Sequence, residues 1–225
     1  MRSFMPTPRL AAFVALTGAS VAAHAQMTML TDIRSVGAYA KSENAAGVDV
    51  DAPADVVHTP FISEFNGQNS AVSNQIGAGA GASVGQLSSF TRNRIQLNAS
   101  ASASTSVNAA GGGIRAESSS NSILDMTFAV IEGTEISIES VITSLTNGAR
   151  VSFFNSSDDL LFSGPGLYNT TLSAGRYRLL ATIDVSADAF GDRTAGGSIA
   201  LTATFVPAPA GVLALVPLAF ARRRR

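Results

Sequence analysis

The sequence predicts an all-β fold, an antiparallel β-sandwich of jelly-roll-like type. Three observations carry this. Apolar residues recur at every second position over much of 85–205, turn signals separate the runs, and no helical period competes between 26 and 205.

The elements follow in order. Residues 26–84 read as a loop-rich part with one strand, in which Met27, Met29 and Ile33 share the odd positions. Residues 41–82 are rich in Gly, Asn, Ala and Asp and contain Pro53 and Pro60, with Phe61, Ile62 and Phe65 as anchors onto a core. The stretch IGAGAGAS (76–83) is low in complexity and carries little apolar area to offset the entropy of ordering.

The sandwich proper is expected over 85–205. Odd positions of 87–107 give Leu87, Ile95, Leu97, Ala99, Ala101, Ala103 and Val107. Even positions then give Ile114, Leu124, Met126, Phe128 and Val130, after a turn at Gly111–Gly113. Ile136, Ile138 and Ile142 share the face of a further strand. Asn147-Gly148 signals a hairpin, and Val151 and Phe153 begin the return. Gly164-Pro165-Gly166 is another turn, before a short strand at 167–172. The clearest strand is GRYRLLATIDVSA, with Tyr177, Leu179, Ala181, Ile183, Val185 and Ala187 on one face. Ile199, Leu201, Ala203 and Phe205 close the series. Because Ala buries little area, the main core is expected at 123–205.

Both ends have a different character. Arg2 and Arg9 precede an apolar run, Leu10 to Val21, and Ala23-His24-Ala25 fits a small-x-small cleavage box. Residues 1–25 therefore read as a signal peptide, helical in its apolar part, with a mature start at Gln26. At the other end, Ala210 to Ala221 is an apolar run interrupted by Pro217 and followed by Arg222, Arg223, Arg224 and Arg225. As a helix its dozen residues would span roughly 18 Å, short of the ~20 residues a stable span needs. The arginines satisfy the positive-inside rule for a tail held in the cytoplasm.

Residues 206–225 resemble the PEP-CTERM sorting signal of bacterial exported proteins. That signal has a Pro-Glu-Pro motif, an apolar segment and a basic cluster, and exosortases process it. Here the motif reads Val206-Pro207-Ala208-Pro209, with Ala208 in place of glutamate. The resemblance implies export, signal peptidase and an exosortase-type enzyme as partners, transient membrane anchoring and cleavage near 207–209. It also implies a place in the cell envelope, at the cell surface or outside, with exopolysaccharide as a candidate partner. Leu172, Gly175, Tyr177 and Leu179 are similar to a Leu-x-x-Gly-x-Tyr-x-Leu element of extracellular β-sandwich modules attached to such signals.

Charge supports the same layout. The formal net charge is −1, from 15 basic and 16 acidic residues. Six basic residues lie in the two terminal segments and no acidic residue does, so their removal leaves 9 basic against 16 acidic, a net of −7. An acidic product argues against nucleic acid, which binds through Lys and Arg. With no cysteine, thiolate chemistry, disulfides and cysteine-based zinc sites are excluded.

Little else points to chemistry, and no catalytic, metal or cofactor site is expected. His58 is the one histidine after residue 25, in a loop-like DAPADVVHTP context without a Gly-x-Ser-x-Gly elbow. Glu135 and Glu139 share an outward strand face beside Glu132, where solvent explains them. Asp49, Asp51 and Asp55 have part of a calcium-loop spacing without its glycine and terminal glutamate. Asp158-Asp159 reads as a turn pair. The glycines at 77–85 lack the Gly-Lys-Ser/Thr of a phosphate loop, and Asn98, Asn155 and Asn169 begin chance glycosylation triplets.

The leading expectation is a structural or adhesive surface or matrix protein without catalysis. A carbohydrate-binding module is the alternative, with Tyr39 and Tyr168 as the only aromatic platforms, since Tyr177 points inward and Trp is absent. A secreted hydrolase is the third class.

Overall fold

The computed structural model describes residues 27–58, 63–108, 114–131, 133–144, 148–189 and 192–206. They belong to one compact unit. The expected signal helix, C-terminal apolar helix and Gly111–Gly113 turn lie outside the described residues.

The chain forms two antiparallel sheets, and no helix occurs among the described residues. The strands are β1 (Thr28–Asn44), β2 (Gly47–Asp51), β3 (Val56–His58), β4 (Glu64–Gln75), β5 (Ala78–Thr91), β6 (Arg94–Val107) and β7 (Arg115–Val130). There follow β8 (Thr134–Ser144), β9 (Ala149–Phe154), β10 (Leu160–Ser163), β11 (Gly166–Leu172), β12 (Gly175–Ala189) and β13 (Arg193–Val206). The first sheet runs β10-β9-β12-β7-β1-β2, with β3 also on β1, and the second runs β11-β8-β13-β6-β5-β4.

Residues 28–91 hold five strands, which corrects the expectation of a loop-rich part with one strand. The expected boundary at 84/85 falls inside β5. Gly and Ala make a strand here because the opposing surface is equally small: Ala78, Ala80 and Ala82 are buried and the intervening glycines face out. The inner face of β1 is also reversed from expectation. Ile33 is 43 % exposed, while Asp32, Arg34, Val36, Ala38, Ala40 and Ser42 face inward. A register shift between Met29 and Thr31 breaks the parity that an unbroken strand would have kept.

The core tapers along the strands. On β7 the inward residues run Ala116, Ser118, Ser120, Ser122, Leu124, Met126, Phe128 and Val130. At the large end, Phe128 meets Phe205 edge-on at 5.0 Å between ring centroids, and Phe153 stacks on Tyr177 at 5.6 Å. At the small end the sheets touch through hydroxyls. Ser118 and Ser120 of β7 each donate to a carbonyl of β6, at Ser104 and Ser102, both at 3.0 Å. Contacts this short place the backbones well inside the ~10 Å that ordinarily separates packed sheets. The concentration of large side chains at 123–205 holds: the largest fully buried ones lie there, apart from Arg34, Ile95 and Leu97.

Two further expectations are corrected. Leu87 is 54 % exposed, because β5 and β6 are joined by the two-residue turn Arg92-Asn93. Pairing Thr91 with Arg94 across two residues reverses the parity of the inward positions. Gly148 also does not close a hairpin, because β8 and β9 belong to different sheets. The flanks of β8 are taken by β13 and β11, so the chain crosses over at Gly148. Glycine is required there because a Cβ would collide with the backbone carbonyl of Asp184.

Candidate functional site

The two outer faces of the sandwich differ in charge. The first sheet presents Lys41, Glu43, Arg115, Glu117, Asp125, Arg178 and Asp188, several of them paired. Arg115 holds Asp188 through two hydrogen bonds, at 3.2 and 2.8 Å. That hydrogen bonding keeps the Asp188 carboxyl below its ordinary value, against desolvation, and the charges of Arg115 and Arg193 also lower it. Arg178 binds Asp125 in the same two-pronged way, at 2.8 and 2.6 Å.

The second sheet is different. Residues 65–91, 95–107 and 194–206 contain no Asp, Glu, Lys or Arg, and they supply four adjacent strands, β13-β6-β5-β4. Two shallow depressions lie on this outer face. One, of about 550 Å³, is lined by Gln68, Ser70, Ser83, Ser100 and Ser102 among others. The next, of about 370 Å³, shares Gln68, Gly85 and Ser100 with it and reaches Asn66, Asn98 and Ser198. A Cβ on Gly85 would meet nothing within 4 Å, so the floor between them is open. Hydroxyls and amides here can donate to and accept from a neutral polyol. No histidine or carboxylate lines either depression.

The interior also holds a charged centre between the sheets. Arg34, fully buried, binds Asp32 at 2.8 and 2.7 Å and donates to the carbonyl and hydroxyl of Ser88 across the core. Gln86 reaches from β5 to Ser122 of β7, and with its amide turned it also donates to the carbonyls of Ser35 and Ile123. The side chains of Asp32, Arg34, Gln86, Ser88 and Ser122 are closed off from solvent, so the centre joins the sheets and offers no access to a substrate.

Residues singled out by sequence fall as follows. Val206 is the last residue of β13 and pairs with Glu135 of β8. Pro207, Ala208, Pro209, Arg222 to Arg225, Ala23, Ala25, Gln26 and Glu132 lie outside the described residues. His58 is on β3, in register with Arg34 and tilted against Phe65 at 6.3 Å. Among the described residues its buried Nε2 has no hydrogen-bond partner. Asp49 and Asp51 turn toward β4, whereas Asp55 lies over Gly37, so the three carboxylates do not converge. Glu135 and Glu139 face outward on β8, as expected. Asn155 organises its turn by accepting from the N–H groups of Ser157 and Asp159, and Asp158 there has φ 61°.

The aromatic platforms are reduced. Tyr168 is half-buried and stacks on Phe162 at 5.5 Å, so it belongs to the core margin rather than to an open surface. Tyr177 points inward as expected, and its hydroxyl donates to the Ser173 carbonyl at 3.1 Å. The uncharged outer face escaped sequence reading, although one signal existed: the absence of charge over 65–91.

Comparison of the chain with protein-family models, with curated proteins and with solved structures found no match.

Proposed function

We propose that the chain is an exported bacterial cell-surface or extracellular-matrix protein, sorted through a C-terminal PEP-CTERM-type signal, with a structural or adhesive and non-catalytic domain. The observation that carries this reading is the order of features after Val206. Pro207-Ala208-Pro209, an apolar run and four arginines follow directly on the last strand. A handle placed there can be removed without taking a strand from either sheet. On this reading the domain has a jelly-roll-like core, in which the chain alternates between sheets from β6 to β9 and returns through β12 and β13.

The test is truncation after Val206, which keeps the pairing of Val206 with Glu135. Cell fractionation should show the truncated chain lost from the envelope or released. Unchanged localisation would contradict the sorting reading.

A carbohydrate-binding role is the second reading, favoured by the uncharged depressions on the second sheet. Neutral glycans match a face of hydroxyls and amides, and the acidic remainder of the surface disfavours polyanions. A glycan array of neutral and acidic polymers tests it. Binding to neutral polymers alone supports the reading, and no binding excludes it.

A further inference from the structure

The two free edges of the second sheet are treated differently by the fold. On β4 the outward N–H groups of Ser70, Val72 and Asn74 are taken up by side chains. The N–H of Ser70 donates to Asn69 Oδ1 at 2.9 Å, that of Val72 to Asp51 Oδ2 at 2.8 Å, and that of Asn74 to Asp49 Oδ2 at 3.0 Å. Ser73 adds a hydroxyl bond to Asp49, and Asn69 donates to the Ala54 carbonyl. Strand β2 carries these carboxylates inward and turns Val48 and Val50 out to solvent, the reverse of an ordinary sandwich strand. Inward charge at an edge is a known way of blocking strand addition.

Among the described residues, the opposite edge, β11, has no such cover. Among the described residues it pairs with β8 alone. It is seven residues long, GLYNTTL, uncharged and without proline. Leu167 on it is 65 % exposed. The backbone groups along this edge are a template for another strand. Beside it the open flank of the sandwich is closed by the Phe162–Tyr168 stack, which contributes no backbone hydrogen bonds.

We infer that β11 is an assembly edge that pairs antiparallel with β11 of a second copy of the chain, joining the two second sheets across a two-fold axis. A two-fold axis perpendicular to the sheet keeps each residue on its own face. Full overlap of Gly166–Leu172 with its copy then sets Asn169 opposite Asn169. Because side chains hold the Ser70–Asn74 stretch of β4, that edge is not open to β11 of another copy, and pairing through this sheet stops at two chains. Were both edges open, β4 could pair with β11 of the next copy, a head-to-tail contact that does not close. This inference concerns the folded domain and stands apart from the sorting reading, which can fail without affecting it.

The chain has no cysteine, so a single introduced thiol reports the edge directly. Directly opposed strand residues have Cβ atoms about 4.5–5.5 Å apart, close to disulfide geometry. Full-length Asn169→Cys should form disulfide-linked dimers under mild oxidation at least several-fold faster than Ser70→Cys, whose thiol sits on the sealed edge. Both positions are exposed, and circular dichroism checks that both variants keep the fold. Equal rates, or a faster reaction at Ser70→Cys, would overturn the inference. As a second measurement, Asn169→Lys sets like charges opposite each other and should lower the dimer fraction in sedimentation velocity. An unchanged dimer fraction would also overturn it.

Discussion

Asp51 of β2 accepts the backbone N–H of Val72 at 2.8 Å, so a side chain from the first sheet closes the edge of the second. Asp49 does the same for Asn74. Replacing both carboxylates frees two edge donors and one acceptor of the buried Ser73 hydroxyl, which keeps its contacts with Ser42 and the Asp49 carbonyl. Asp49→Ala/Asp51→Ala is therefore expected to keep the wild-type circular dichroism spectrum and to sediment as larger, heterogeneous species. If it sediments as the wild type does, the two carboxylates are not an edge seal.

The contact between Ser118 and Ser104 bears on stability. Ser118→Ala removes one hydroxyl bond and should cost about 1 kcal/mol in urea unfolding. Ser118→Leu should cost about 1–3 kcal/mol, despite the added apolar area, because the sheets are too close there for a larger side chain. An aliphatic variant as stable as wild type would contradict the tapered core.

Phe128 tests the other end. It touches Phe153, Tyr177 and Phe205, and Phe128→Ala should lower stability by about 3–5 kcal/mol. A loss under 1 kcal/mol would mean that the aromatic end is not the main core.

Arg34 and Asp32 form a buried pair, with side chains 0 % and 1 % exposed. Asp32→Ala alone removes the carboxylate that takes two hydrogen bonds from a buried guanidinium and should cost about 3–5 kcal/mol. Replacing the pair together with Asp32→Leu/Arg34→Met should cost markedly less. Denaturant unfolding of the single and double variants distinguishes the two results, and a double variant at least as unstable as the single would contradict this account.

Arg115 and Asp188 give a pH prediction. The folded Asp188 carboxyl is lowered chiefly by its hydrogen bond from Arg115. A depressed carboxyl stabilises the fold above its unfolded value, about 3.9, and that contribution is lost as the pH falls through the folded value. In an NMR titration, Asp188 should titrate below the ordinary range in wild type and return toward it in Arg115→Gln. No difference between the two would contradict the pairing.

Legibility in the sequence followed the size of the inward side chains. On β12 and β13 they are Tyr177, Leu179, Ile183, Val185, Ile199, Leu201 and Phe205, interspersed with alanines and with no charged residue, so period two stands out. On β1 and β5 the inward positions include Asp32, Arg34, Gln86 and Ser88, which read as solvent-facing until their partners across the core are seen. Pattern alone could not show that Gly148 crosses between sheets, since an Asn-Gly pair is also the strongest hairpin signal. Nor could it show that Asp49 and Asp51 bind an edge: that depends on β4 lying beside β2, a non-local contact.

The central claim is that the mature protein is the sandwich alone, freed of both ends. Intact mass and terminal peptide analysis of the protein recovered from the envelope and medium test it most directly. The account predicts a chain beginning at Gln26 and ending near Pro207–Pro209, with any attached group visible as added mass at the new C-terminus. A recovered chain that still ends at Arg225 would contradict it.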